Sequence, residues 1–166
     1  AYTDFGNKLL ADENTWIVLE SEADLAGLSD SLKASYKAAV TERLRNHIHT
    51  LVGRYKGRVK GWDVVNEAIA DRPSPAGGDE NLGNSQWLQA LGPEFLTLAF
   101  KFAHEADPDA VLYYNDYNIE SGPKHASSMV LLQRLLKEGA PIHGIGIQGH
   151  WRTGSVPFED IDKAIL

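Results

Sequence analysis

Apolar and polar positions follow two rhythms along this chain, and the rhythms separate strands from helices. Three short runs are apolar for most of their length and then turn polar. They are Trp62 to Glu67 (WDVVNE), Val111 to Asn115 (VLYYN) and Ile142 to Gln148 (IHGIGIQ). The second leads into Asp116-Tyr117-Asn118 and the third into Gly149-His150. Such runs are read as buried strands whose carboxyl ends deliver polar groups to a surface. Between them the apolar residues recur at spacings of three and four. Tyr36, Val40, Leu44, Ile48, Leu51, Val52 and Tyr55 mark a helix from about Ser31 to Tyr55, capped by Ser29 or Ser31 and ended by Gly57. Pro93 opens a second, through about Glu105, with Phe95, Leu96, Ala99, Phe100, Phe102 and Ala103 as its apolar positions, stopped by Asp107-Pro108.

A third helix starts at Pro123 or Lys124 and ends at Gly139, with Met129 to Leu132, Leu135 and Leu136 as a broad buried face. Ser155 and Pro157 begin a last one, carried by Phe158, Ile161 and Ile165. Alternation of strand and helix implies parallel βαβ units, an α/β class. In (β/α)8 barrels the reactive groups stand at the carboxyl ends of the strands, where this chain puts its polar residues. Such a barrel takes about 250 residues, and three parallel strands cannot close one. The expectation is therefore a partial (β/α)8 TIM barrel. Residues 1–30 form an unassigned lead-in, in which Ile17 to Leu19 reads equally as a short strand or part of a helix. Asp71 to Gly83 (DRPSPAGGDENLG) is a long turn-rich connection, either a substrate-contacting loop or a surface insertion, with Trp87 packed beneath it.

Composition narrows the partners. The 166 residues, 43% of them apolar, suffice for one packed domain. A net charge of -7 repels polyanions, so nucleic acid is not expected as a ligand. The apolar runs fall short of the roughly 18 to 20 residues that span a bilayer, and no segment reads as a signal peptide. Without cysteine there is neither a disulfide framework nor a thiolate metal site. His47 and His49, two apart on a helix, do not share a face, so no metal and no other cofactor is expected.

Glu67 is the leading catalytic candidate. A carboxyl at the edge of an apolar strand, close to Trp62, is expected to be partly desolvated and to donate a proton near neutral pH; the alternative is an ordinary ion pair with a neighbouring Arg or Lys. Asn66 offers both donor and acceptor to a sugar hydroxyl, or to local backbone groups. Gln148 and His150, two apart in a strand, point to one face and together suit an anion or carboxylate. His143 reads as a satisfied core histidine.

The segments WDVVNE, Asn115 to Asn118 (NDYN) and Gly144 to His150 (GIGIQGH), in this order with helices between, resemble glycoside hydrolase family 10 xylanases. Gly53-Arg54-Tyr55-Lys56-Gly57 and Ala106-Asp107-Pro108 are also similar to that family, and the resemblance covers about residues 40 to 166. It implies that residues 31–166 are the central part of the catalytic barrel, the fourth to sixth of its eight units. It further implies a retaining endo-1,4-β-xylanase with Glu67 as general acid/base, Asn66 on the sugar at the cleavage point, Gln148 and His150 orienting that sugar or the nucleophile, and Tyr117 and Asn118 on the leaving-group side. Trp151 is either a sugar-stacking or a packing residue. The nucleophile, a Glu on the strand after QGH in the family, is not present in this chain, so a complementary chain or segment is expected as partner, with xylan as substrate and a secreted location. The rival readings are a half-barrel that binds xylan or a partner subunit without cleaving, and another barrel glycosidase such as a cellulase or mannanase.

Overall fold

A computed structural model describes residues 8–12, 15–18 and 27–165 of the chain. β1 (Lys8–Asp12) and β2 (Thr15–Val18) form an antiparallel pair with an irregularity between Leu10 and Asp12. Of the two readings of Ile17 to Leu19 the strand holds for Ile17 and Val18; Leu19, like most of the lead-in, lies outside the described residues.

Beyond this hairpin the order is α1 (Asp30–Arg54), β3 (Gly61–Asn66), a 3-10 segment (Pro75–Glu80), α2 (Gln86–Leu91), α3 (Glu94–Ala106), β4 (Val111–Asp116), α4 (Gly122–Lys137), β5 (Gly144–Ile147) and α5 (Phe158–Ile165). Strands β3, β4 and β5 lie side by side in sequence order and pair in parallel. This is three consecutive units of a (β/α)8 barrel, as the alternation of rhythms implied.

The helices form where the apolar periodicity and the caps coincide. Ser29 caps α1 by accepting from the Leu32 amide, and α1 buries Tyr36, Leu44 and Val52 with Val40 and Ile48 partly covered between them. That is one residue per turn on one face. The face meets Ala90, Leu91 and Phe102, while α3 turns Leu96, Ala99, Phe100 and Ala103 to a second cluster under the sheet. Helix α2, with Trp87 half-buried on it, was hidden in the sequence because six residues are too short to show a period; Ser85 caps it through the Leu88 amide. In α4 only Leu131, Leu132 and Leu135 of the expected face are buried; Met129, Val130 and Leu136 are exposed, since one helix face spans only part of the turn that a run of four apolar residues covers. Phe158 and Ile165 of α5 are likewise exposed. His143 precedes β5 rather than lying in it and is exposed, yet its Nδ1 accepts the Leu112 amide at 3.0 Å. The hydrogen bond expected of a core histidine is present, but the burial expected with it is not.

The two segments that flank the strands' entry are joined. Asp107, 1% exposed, accepts the Gly57 amide through Oδ2 at 2.9 Å, which ties the turn after α1 to the end of α3. The connection after β3 is also anchored. Leu82 is 2% exposed and bridges to Ile69, Asn81 in a left-handed conformation bonds the Ser74 amide and the Ala70 carbonyl, and Glu80 pairs with Arg134 of α4. It is a packed strap rather than a surface insertion.

Candidate functional site

The strand register decides which side chains meet at the carboxyl end of the sheet. Along β4, Leu112, Tyr114 and Asp116 are fully buried toward the helices, so Tyr113 and Asn115 face the other way. Tyr113 pairs in register with Gly144, and Asn115 with Gly146 on one side and Asn66 on the other. The two glycines of β5 leave room for these side chains. A Cβ at 144 would stand 2.7 Å from the Tyr113 ring, and one at 146 would stand 2.3 Å from Asn115 Oδ1. With that space free, Asn115 Nδ2 reaches across and donates to Asn66 Oδ1 at 2.7 Å.

Glu67 follows directly. Its amide donates to the Asn115 carbonyl, and its φ of 56° is left-handed, a conformation that a residue with a Cβ adopts at a cost. The turn breaks the strand's alternation, so that neighbouring residues 66 and 67 serve one site. Gln148 Nε2 donates to Glu67 Oε1 at 2.8 Å and to Asn66 Oδ1 at 3.2 Å, and His150 Nε2 donates to Gln148 Oε1 at 2.7 Å. Gln148 thus orders the Glu67 carboxylate, and His150 fixes which end of the Gln148 amide faces it. Four of the expected residues, Asn66, Glu67, Gln148 and His150, form one hydrogen-bonded group. The desolvation expected for Glu67 is not present: Asn66 and Glu67 are exposed, because the strands of this sheet and their loops wall the carboxyl group on one side only. Among the described residues Glu67 forms no ion pair, the alternative reading; its partner there is the neutral Gln148 amide.

Tyr117 belongs to a second group beside the first. Its hydroxyl donates to Asp71 at 2.6 Å, and Lys124 Nζ lies 3.5 Å from the centre of its ring. Lys124 pairs with Asp71 at 3.0 Å and with the fully buried Asp116 at 2.9 Å. Asp116 also accepts from the hydroxyl of Tyr114 at 2.5 Å and from the Tyr117 amide. The Tyr117 hydroxyl bond, then Lys124, holds Asp71 below the usual carboxylate range. Burial works against the charge on Lys124, but its two carboxylates prevail and raise its pKa. The charge of Glu67 acts on Tyr117 in the same direction as Asp71, upward, which sets the two groups within electrostatic reach. Asn118 comes next, exposed and left-handed with φ 55°, and no hydrogen bond ties it to either group among the described residues.

Sequence reasoning missed Asn115, Asp71, Asp116 and Lys124 as site residues. Asn115 and Asp116 stood inside the NDYN motif; Lys124 and Asp71 gave no signal as a pair, because the two are 53 residues apart in the chain. A cleft of about 360 Å³ opens beside Glu67, lined by Asn66, Ala68, Gly83, Asn84, Ser85 and Trp87 among others. Between the Glu67 carboxyl and this cleft the site offers an acid or base, amide donors and acceptors, and an aromatic wall, a set suited to a polyhydroxylated ligand.

Comparison with known proteins places most of the chain in one family. The model of the glycosyl hydrolase family 10 matches residues 26–166. The chain is 47% identical over 123 residues to endo-1,4-beta-xylanase B of Paenibacillus barcinonensis, covering 74% of this chain and 36% of that protein. It is 40% identical over 151 residues to an endo-1,4-beta-xylanase of Geobacillus stearothermophilus, covering 91% and 42%. Among solved structures, native xylanase 10B from Thermotoga maritima superposes with a TM-score of 0.70 at 38% identity, over 78% of this chain and 38% of that one. The chain therefore spans about two fifths of the length of these relatives.

Proposed function

The chain belongs to glycosyl hydrolase family 10, and from that premise we propose that it carries the general acid/base of a retaining endo-1,4-β-xylanase. Glu67 donates a proton to the glycosidic oxygen as a carboxylate nucleophile attacks the anomeric carbon and the leaving sugar departs. Glu67 then takes a proton from the water that hydrolyses the glycosyl-enzyme, which restores both carboxyl groups. The observation that carries the assignment is the Gln148 amide on the Glu67 carboxylate, with His150 behind it. An amide donor orients a carboxyl group without neutralising it, which leaves the proton free to move. Asn66, whose Oδ1 already accepts two amide bonds, turns its donor end to a sugar hydroxyl. Tyr117 and Asn118 line the leaving-group side.

We place the nucleophile outside the described residues. Asp71 and Asp116, the carboxylates nearest in the network, are engaged by Lys124 and tyrosine hydroxyls and so are poor nucleophiles. Retention needs a second carboxyl about 5 to 5.5 Å from the first. The exposure of Glu67 favours one other reading, in which the chain alone binds xylan without cleaving it.

The test pairs this chain with a polypeptide supplying the remaining barrel units of a family 10 xylanase. Xylan cleavage should require both. Glu67→Gln should lower it by about 10² to 10⁴ while an aryl xyloside with an acidic phenol keeps its first step. Equal loss on the two substrates would remove Glu67 from the role, and binding of xylo-oligosaccharides with no cleavage by the pair would favour the binder.

A further inference from the structure

Glu120 is a strongly buried carboxyl in the loop after β4 that the site as described does not use. It is 7% exposed and lies just before Ser121, which opens α4. Its Oε1 accepts the indole N–H of Trp151 at 2.9 Å, and its Oε2 is buried with no hydrogen-bond partner among the described residues. Burying a carboxyl half-satisfied is costly, so its retention calls for a local return.

The return lies in what Trp151 holds. Gly149 is left-handed, with φ 64°, and the Trp151 ring packs over it; a Cβ at 149 would sit 3.3 Å from that ring. The Trp151 amide closes the turn onto the Gly149 carbonyl at 2.7 Å. The residue between them is His150, whose Nε2 donates to Gln148, which in turn donates to Glu67. The loop after β4 and the loop after β5 are thus joined by one side-chain bond at Glu120, and the joined turn presents the donor that selects the orientation of Gln148.

We propose that Glu120 is a positioning residue for Glu67, acting through Trp151 to fix the 149–151 turn and so the His150–Gln148 pair that orders the carboxylate. Its functional meaning rests on Glu67 as the acid/base. The contact itself does not. A merely local role at the start of α4, where a negative charge favours the helix, would need the charge of Glu120 and not its reach to Trp151.

The experiment uses NMR of the ¹⁵N-labelled full chain. It follows the Trp151 indole N–H and the Gln148 side-chain amide, the latter assigned by its loss in Gln148→Ala. In Glu120→Leu the indole signal should shift, and the two Gln148 amide protons, held apart by the carboxylate, should lose most of their dispersion and approach an exposed glutamine. Glu120→Gln, which keeps an oxygen for the indole, should retain the dispersion. Trp151→Phe, which keeps a ring on Gly149 but removes the donor, should reproduce Glu120→Leu, and it decides the matter if Glu120→Leu does not fold. An unchanged Gln148 pair in a folded Glu120→Leu or Trp151→Phe would overturn the proposal, as would Glu120→Gln behaving like Glu120→Leu. Because no turnover is measured, failure here leaves the Glu67 kinetics to stand or fall separately.

Discussion

Lys124 and Asp116 meet at 2.9 Å with the carboxylate fully buried and the lysine side chain 9% exposed. Asp116 ends β4 and Lys124 lies in the first turn of α4, so the pair clamps the loop that carries Tyr117 and Asn118. A buried pair adds little relative to an apolar one, but removing one partner leaves a charge without compensation. Lys124→Met should lower stability by about 3 kcal/mol or more, read by denaturant unfolding, and Asp116→Asn in the same chain should recover part of that loss.

Asp71 gives a pH dependence with a defined sign. Tyr117 and then Lys124 hold its folded pKa below the ordinary value of 3.8. The folded state therefore binds this proton less readily than the unfolded one, and the contribution is present above the ordinary value and lost as pH falls through the folded value. The melting temperature of Asp71→Asn should fall below that of the parent at neutral pH, with the gap closing in acid below about pH 4. The carboxyl is well exposed, so the gap should be small and should shrink with salt.

The Tyr113 ring lies between two glycines on neighbouring strands, with a Cβ at Gly61 falling 2.9 Å and one at Gly144 falling 2.7 Å from it. The ring cannot swing away from one without striking the other. Gly144→Ala should destabilise by about 1 to 3 kcal/mol. In a Tyr113→Ala background the same change should cost much less, and a double-mutant cycle measures the difference.

Arg134 fastens the strap after β3 by pairing with Glu80, itself 8% exposed, with Glu138 and with the Pro93 carbonyl. Arg134→Met should strand the Glu80 carboxyl and release the 3-10 segment. Amide hydrogen exchange at residues 77 to 82 should accelerate at least tenfold while β4 stays protected. Uniform acceleration would instead mean global destabilisation.

The units of the barrel were legible because each strand turns polar where its face changes role. Glu67, Asn66, Gln148 and His150 stood at those points and do converge. What the one-dimensional pattern could not carry was depth. The run from Met129 to Leu132 looks uniformly apolar, yet two of its four residues are exposed, because burial depends on which helix turn meets a neighbour. The environment of Glu67 was misjudged for the same reason, since how enclosed a strand end is depends on the walls around it. Lys124 was unreadable because an ion pair formed across a loop and a strand has no periodicity.

The left-handed backbone at Glu67 carries a consequence for how this position drifts. Glycine and asparagine tolerate that geometry better than glutamate does. A library of this chain sorted for thermal survival alone should therefore enrich Asn or Gly at 67, and the same library paired with the remaining barrel units and sorted for xylan cleavage should restore Glu. The ratio of the two outcomes would report, in one competition, how far selection for chemistry outweighs selection for a relaxed main chain at this codon.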